Sequence, residues 1–116
     1  MSLQKLRTLV RIIHLFCIRY KYHAMIREKG GYVQRKGLML DIDGNFIFGN
    51  NLIINTIGVD IFTKSHIVVC QNAVLSIGNN SGITSTAIYC AEKIEIGNYV
   101  NIGAGCLIMD TNFHST

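Results

Sequence analysis

Apolar residues at helical spacing mark the start of the chain. Six of them recur three or four positions apart and would share one face of a helix: Leu3, Leu6, Val10, Ile13, Cys17 and Tyr20. Arg7 and Arg11 lie on the opposite face. Gly30 and Gly31 follow, and glycine favours the end of a helix because it adopts a left-handed conformation without strain. The pattern predicts one basic amphipathic helix over residues 3–27.

Several surfaces could receive this helix. Its apolar face could pack on the rest of the chain or on a neighbouring subunit, or it could lie in a membrane interface, where basic side chains meet anionic headgroups. Nucleic acid is the weakest alternative, because nothing in the segment resembles the recognition helix of a DNA-binding module. We therefore expect no nucleic-acid partner, and residues 3–27 are the candidate segment for contact with a membrane surface.

A different pattern begins at about Ile42, where short apolar stretches alternate with Gly and Asn. An aliphatic residue then recurs at every sixth position, in units that begin at Ile77 and Ile83 and again at Ile96, Ile102 and Ile108. The spacing slips by one residue between these two groups, around positions 89–93. Upstream the pattern is looser, and it begins with Ile42, Ile47 and Ile54.

A six-residue period has a structural meaning. Three units make one triangular coil of short strands and corners, in which the aliphatic residue points inside and stacks on its equivalents in adjacent coils. Gly and Asn tolerate the positive φ that the corners need. Residues 42–116 would then form roughly four coils of about eighteen residues each, as a parallel β-helix. The alternative, a β-sandwich, would show alternation with turns about every eight to twelve residues, which fits the regular Ile spacing poorly.

The stretch 77–115, which ends in Asp110-x-Asn112-Phe113-His114-Ser115, resembles the hexapeptide-repeat acyltransferases. These include the sugar O-acetyltransferases of polysaccharide and lipopolysaccharide biosynthesis and the maltose and galactoside acetyltransferases. The resemblance implies an all-β solenoid, a left-handed parallel β-helix of hexapeptide repeats, here preceded by the N-terminal helix. It also implies a homotrimer, and acetyl transfer from acetyl-CoA to a hydroxyl of a sugar or polysaccharide-precursor acceptor.

His114 matches the histidine that acts as general base in that family. A sugar hydroxyl is a poor nucleophile at neutral pH, and a neutral imidazole can take its proton as the oxygen attacks the thioester. A backbone N–H is expected to stabilise the oxyanion that forms. Asp110 or Asn112 would orient the imidazole through its other nitrogen. Ser85 and Thr86, one coil below, would face the acceptor groove.

The chain departs from the family pattern at its C-terminus. In the family, further coils follow the histidine and supply most of the acetyl-CoA groove, which lies between neighbouring subunits. This sequence ends at Thr116. We therefore expect a basic helix in residues 1–29 and a β-helix domain in residues 30–116 that is incomplete at its C-terminus. A truncated, non-catalytic β-helix scaffold or interaction module is the alternative to an acetyltransferase.

Metal and redox chemistry are not indicated. The γ-type carbonic anhydrases share the β-helix fold and need three histidine ligands, but only His66 and His114 lie in the repeat region, without suitable spacing. The four cysteines show no CxxC spacing: Cys17, Cys70, Cys90 and Cys106. They are interpreted as reduced core residues of a cytosolic protein.

Charge is distributed unevenly along the 116 residues, whose net charge is +4. Residues 1–40 hold nine of the eleven Lys and Arg and one acid, Glu28, whereas residues 41–116 hold two Lys and six acids. This asymmetry predicts an anionic partner for the N-terminal segment. The apolar run 12–18 is too short for a bilayer span and lacks a signal cleavage site. The expected location is the cytoplasm, where the helix could hold the protein at the inner membrane face.

Overall fold

The computed structural model describes residues 2–34, 38–56 and 64–110. Its first element, α1, spans Leu3–Glu28, as the apolar spacing predicts. The Ser2 side chain accepts a hydrogen bond of 3.2 Å from the Lys5 N–H, which satisfies one unpaired amide of the first turn. Gly30, with a φ of 79°, follows the helix in the left-handed conformation.

Short strands make up most of the remaining described residues. They are β1 (Tyr32–Val33), β2 (Leu38–Ile42), β3 (Asn45–Phe48), β4 (Ile53–Asn55), β5 (Ser65–Val69), β6 (Val74–Ile77), β7 (Gly82–Thr84), β8 (Ala87–Cys90), β9 (Lys93–Ile96), β10 (Asn101–Ile102) and β11 (Leu107–Met109). Buried and exposed positions alternate along most of them, because successive side chains of a strand point to opposite faces.

Every described strand pairs in parallel with the strand three elements away along the chain. The three sheets have the orders β1-β4-β7-β10, β2-β5-β8-β11 and β3-β6-β9. Consecutive strands therefore lie in different sheets, and they form levels that we call tiers: β1–β3, β4–β6, β7–β9 and β10–β11. These parallel sheets, together with the N-terminal helix, are compatible with a β-helix-like fold.

The tiers differ in length. Asn101 pairs with Gly82, nineteen residues earlier, which is close to the predicted coil length. Gly82 pairs with Ile53, twenty-nine residues earlier, because extra chain lies between the end of β4 and the start of β5. Pairing also begins at Tyr32, before the predicted onset near Ile42. The predicted uniform length therefore holds only for the later tiers.

Aliphatic side chains stack in columns through the interior. One column joins residues at the same register of β2, β5, β8 and β11: Leu40, Ile67, Ile88 and Ile108. Ile67 and Ile88 are fully buried, whereas Ile108 is only half-buried because it lies in the lowest described tier. Full burial of one such isoleucine stabilises the fold by roughly 1.5–3 kcal/mol of transfer free energy, so these columns form the main core.

The six-residue pattern locates most of the core, with one exception. Four of its positions are buried: Ile42, Ile54, Ile77 and Ile83. Ile47, however, is 56% exposed, while its neighbours Phe46 and Phe48 point inside. Alternation within β3 puts a residue and its two neighbours on opposite faces, so Phe46 and Phe48 rather than Ile47 point inside, in register with Leu75 and Ile77 of β6.

Only the C-terminal half of α1 packs on the sheets. Ile18, Tyr22 and Ile26, spaced one turn apart, are its buried residues. The Tyr22 ring centroid lies 5.4 Å from that of Phe46 and 6.4 Å from that of Phe48, both in the first tier. These rings cover the interior at the first-tier end, and α1 thereby closes that end of the core.

The helix face predicted from the apolar spacing does not pack on this chain. Its residues Leu3, Leu6, Val10, Ile13, Cys17 and Tyr20 are exposed. The N-terminal half of α1 is held instead by charge: Arg11 forms an ion pair with Asp41 and lies 3.6 Å from Asp43, and His14 Nε2 lies 3.5 Å from Asp43. The alternative in which this face packs on the rest of the chain is therefore wrong.

One corner repeats a Gly-Asn pair in three successive tiers. Gly49-Asn50-Asn51, Gly78-Asn79-Asn80 and Gly97-Asn98-Tyr99 follow β3, β6 and β9, and the third residue of each has a φ of 57–59°. Asn79 Oδ1 accepts the Asn50 N–H at 2.7 Å, and Asn98 Oδ1 accepts the Asn79 N–H at 2.7 Å. We call this series of side chain to backbone bonds the asparagine ladder.

The ladder explains why glycine precedes Asn50 and Asn79. A Cβ on Gly49 would overlap the Asn79 side chain, and a Cβ on Gly78 would overlap the Asn98 side chain. The amide oxygen of one tier thus occupies the space that a side chain of the tier above would need. Glycine is required at these two positions by close approach and not by a positive φ.

We expect Gly78→Ala to lower the free energy of unfolding by about 1–3 kcal/mol, because the added methyl group displaces Asn98 and leaves a backbone N–H unpaired. Urea denaturation measures the loss. Gly103→Ala is the matched control, since a Cβ there meets nothing within 4 Å, and it should change stability by less than about 0.5 kcal/mol. Equal losses in the two variants would contradict the ladder.

Candidate functional site

The structure describes three of the five residues predicted to form the acyltransferase site, and these three lie in two different tiers. His114 and Asn112 lie outside the described residues, which end at Asp110. Ser85 and Thr86 lie between β7 and β8, in the third tier. Asp110 directly follows β11, in the lowest described tier. The predicted roles of His114 and Asn112 therefore stay predictions.

Asp110 binds the turn of the tier above it. Its Oδ1 accepts the Ala91 N–H at 2.6 Å, and its Oδ2 accepts the N–H groups of Glu92 and Lys93 at 2.8 and 2.6 Å. These amides belong to the turn between β8 and β9 and to the first residue of β9. Both carboxylate oxygens thus hold backbone in place, and Asp110 closes the lower side of this turn. Its predicted contact with His114 would have to be made in addition to these bonds.

The electrostatics of Asp110 follow from the same contacts. Burial raises the pKa of its carboxyl group, but hydrogen bonds from the backbone N–H groups of Ala91, Glu92, Lys93 and Asp110 itself together outweigh that effect. The net pKa lies below the ordinary value for an aspartic acid, because backbone donors stabilise the ionised form. Asp110 is therefore a charged acceptor at neutral pH.

Thr86 faces the interior and not a groove. Its side chain is fully buried, and its hydroxyl lies 2.9 Å from the carbonyl oxygen of Thr84 and 3.2 Å from that of Gly103. Thr86 also occupies the register position of Ser65, one tier earlier, whose hydroxyl donates to Asn55 O at 2.9 Å. This placement differs from the expected groove position, because the hydroxyl is used to satisfy backbone carbonyls inside the corner.

Ser85 serves the same corner through its backbone. It is buried, with a φ of 45°, and its N–H donates to Asn55 O at 2.9 Å. Its carbonyl accepts the Gly105 N–H at 3.1 Å. Ser85 thus joins the tiers above and below it, and its burial also differs from the expected groove position. The strands β5, which begins at Ser65, and β8, which follows Thr86, alternate buried and less buried residues, and this alternation in the sequence is the signal that Ser65 and Thr86 point inside.

Sequence reasoning did not anticipate a groove between α1 and the second sheet. This helix–sheet groove has a volume of about 380 Å³ and is lined mainly by apolar side chains, with Arg19, Asp41 and His66 as its polar members. His66 pairs with Met39 across β2 and β5, which places it on the outward side of the sheet. The groove depends on how α1 crosses β2, and no local sequence pattern encodes that crossing.

The four cysteines differ in how far they are buried. All four cysteines are free; Cys90 is buried, Cys70 is half-buried, and Cys17 and Cys106 are exposed, so the expectation of core positions holds for only part of the set. Burial raises the pKa of the Cys90 thiol, which keeps it protonated. Among the described residues, no group of three or more His, Cys, Asp or Glu could hold a metal ion.

Comparisons of the chain with protein-family models, curated proteins and solved structures find no match.

Asp110→Ala should lower the free energy of unfolding by about 1–3 kcal/mol at neutral pH, because three backbone N–H groups lose their acceptor. Urea denaturation at pH 7 measures the change. Glu92→Ala is the control, because the Glu92 side chain is exposed on the same turn, and its effect should stay within about 0.5 kcal/mol. Similar losses in both variants would show that the carboxylate does not hold the turn.

The contribution of Asp110 should also depend on pH. Because folding lowers its pKa, the stabilisation is fully present above the unfolded-state value of about 4 and is lost as pH falls through the lower folded-state value. The stability difference between the wild type and Asp110→Ala should therefore narrow as the pH is lowered below about 4. Denaturation curves of both proteins across that range test this, and a constant difference would exclude the ionised carboxylate as the cause.

Proposed function

We propose that this protein transfers an acetyl group from acetyl-CoA to a sugar hydroxyl in surface polysaccharide biosynthesis, with His114 as general base. One observation carries the proposal: each described strand pairs with the strand three elements away, in the region where the sequence has its six-residue repeat. This is the arrangement expected of the hexapeptide-repeat acyltransferases that the sequence resembles. The proposal includes the fold of that family, in which the three parallel sheets form a left-handed β-helix.

The position of Asp110 supports a site at the lowest described tier. Its three bonds to the turn 91–93 fix the backbone at the start of the Asp110-x-Asn112-Phe113-His114 motif. His114 follows four residues later in the sequence. A general base needs firm support, because small displacements of it lower the rate.

In the proposed reaction, His114 both takes up a proton and returns it. His114 takes the proton of the sugar hydroxyl while the oxygen attacks the thioester carbonyl carbon of acetyl-CoA. A backbone N–H stabilises the tetrahedral oxyanion, and the bond between carbon and sulfur then breaks. The protonated imidazole returns its proton to the leaving thiolate of CoA, which regenerates the base.

A homotrimer is part of this proposal. In the resembled family the acetyl-CoA groove lies between neighbouring subunits. Leu107 and Met109 in β11 are 61% and 40% exposed, and Tyr99 is 77% exposed, so the lower tiers carry apolar surface that a second subunit could cover. Acetyl-CoA would be bound there as the acyl donor.

A non-catalytic β-helix scaffold is the second candidate, and two observations favour it. Both oxygens of Asp110 are used by the turn 91–93. The Thr86 hydroxyl is buried against backbone carbonyls. Both residues, which were expected at the catalytic site, thus make structural contacts, and a non-catalytic scaffold requires only such contacts.

We expect the wild type and His114→Ala to bind acetyl-CoA with similar dissociation constants in the micromolar range. Acetyl transfer to sugar acceptors should fall by about two to four orders of magnitude in His114→Ala, because only proton transfer is lost. Calorimetry measures binding, and release of CoA measures turnover. His14→Ala, in α1, is the control that should keep full turnover. Absence of detectable heat at millimolar acetyl-CoA would instead support the scaffold.

A further inference from the structure

Most of the apolar side of α1 is exposed, and only its edge at Phe16 and Tyr20 also borders a groove against the sheets. Six residues of its first five turns form what we call the outer face: Leu6, Leu9, Val10, Ile13, Phe16 and Tyr20. Their exposed fractions run from 44% to 73%. On the side of these turns that faces the sheets, Arg11 and His14 contact the carboxylates of Asp41 and Asp43. A surface helix of a water-soluble domain normally has the reverse orientation, with its apolar stripe against the core.

Two sets of contacts fix this orientation. Ile18, Tyr22 and Ile26 lock the C-terminal half of α1 onto the first tier. Arg11 and its carboxylate partners lock the N-terminal half. Rotating the helix to bury the outer face would break both sets at once. The exposed apolar stripe is therefore a built feature of the fold, and a contiguous stripe of this kind marks an interaction surface.

The charges beside the outer face indicate what covers it. Three Lys and Arg side chains of α1 lie beside the outer face: Lys5, Arg7 and Lys21. The helix has no acid before Glu28, its last residue. Lys5 lies along one border of the outer face, and Arg7 and Lys21 lie along the other, as the helical spacing of one hundred degrees per residue places them. Apolar side chains bordered by cations match a lipid surface with anionic headgroups.

We infer that the outer face of α1 lies in the interface of an anionic membrane, with its apolar side chains among the acyl chains and its cations at the phosphates. A second copy of this chain is a poorer fit, because a symmetric contact would bring Lys5, Arg7 and Lys21 of both helices together, and the helix has no acid before Glu28. A nucleic acid is also a poorer fit, because the aliphatic residues lie where phosphates would have to approach. No helix among the described residues has the length and apolarity needed to cross a bilayer.

The chain offers a direct probe of insertion, because it contains no tryptophan. Phe16→Trp places a single tryptophan in the outer face, and Tyr99→Trp places one at a position of similar exposure in the corner between β9 and β10. Vesicles of phosphatidylcholine with roughly one-third phosphatidylglycerol are the probe surface. We expect these vesicles to shift the emission of Phe16→Trp to shorter wavelength and to leave that of Tyr99→Trp unchanged.

Two matched pairs of substitutions separate the apolar and the electrostatic contributions. Ile13→Gln removes an isoleucine that is 54% exposed on the outer face, and Ile47→Gln removes one that is 56% exposed on β3. We expect about tenfold weaker vesicle binding in the first variant and no change in the second. Arg7→Glu should weaken binding by about thirtyfold, at about fivefold per unit of charge, whereas Lys64→Glu should have little effect. Co-sedimentation with the vesicles measures all four variants, and circular dichroism checks that each keeps its helix.

Several results would overturn the inference. Failure of the wild type to bind the mixed vesicles, or equal binding to vesicles of phosphatidylcholine alone, would exclude an anionic surface. Equal weakening in Ile13→Gln and Ile47→Gln would exclude the outer face as the contact. Dissociation of an oligomer by Ile13→Gln without any vesicle binding would assign the face to contacts between copies. Binding of duplex DNA or RNA that Ile13→Gln leaves intact, without vesicle binding, would assign the cations to nucleic acid. None of these outcomes depends on acetyl transfer, so the two proposals fail separately.

Discussion

Backbone pairing between tiers is the constraint on which this structure depends. Consecutive strands lie in different sheets, so a strand finds its partner only three elements away, and its N–H and C=O groups stay unpaired until that tier is in place. The side chains obey the same geometry, because a column such as Leu40, Ile67 and Ile88 forms only when the tiers are in register. Stability therefore resides in the contact between neighbouring tiers more than in any single strand.

Polar side chains solve the problem that this stacking creates at the corners. Backbone N–H and C=O groups at the corners cannot all pair with strands, and short polar side chains bind them instead. Asn79 and Asn98 accept N–H groups of the tier above, and the Thr86 hydroxyl lies within hydrogen-bond distance of the carbonyls of Thr84 and Gly103. Asp110 does the same for the turn 91–93 with a full charge. Thr86 and Asp110, which the sequence suggests as binding and catalytic residues, thus make structural contacts to the backbone.

The two ends of the stack are treated differently. At the first-tier end, Tyr22 covers Phe46 and Phe48, and α1 leaves a second, apolar side turned outward. In the lowest described tier, Ile102 and Ile108 are half-buried, and Asp110 holds the adjoining turn. The proposed chemistry belongs to this lower end and the proposed membrane contact belongs to α1. Membrane binding and acetyl transfer would then use opposite ends of the same stack of tiers.

The sequence by itself determined the features that local periodicity encodes. The apolar spacing located α1. The recurrence of an aliphatic residue at every sixth position located the parallel strands and buried positions such as Ile77 and Ile83. Tertiary structure decided the rest, because those features depend on partners distant in the chain. Which side of α1 packs follows from Ile18, Tyr22 and Ile26 meeting the first tier, and the outward side of β3 follows from the register that buries Phe46 and Phe48. The contacts of Asp110 lie seventeen to nineteen residues away, so only the stacking of tiers brings that carboxylate to the amides it binds.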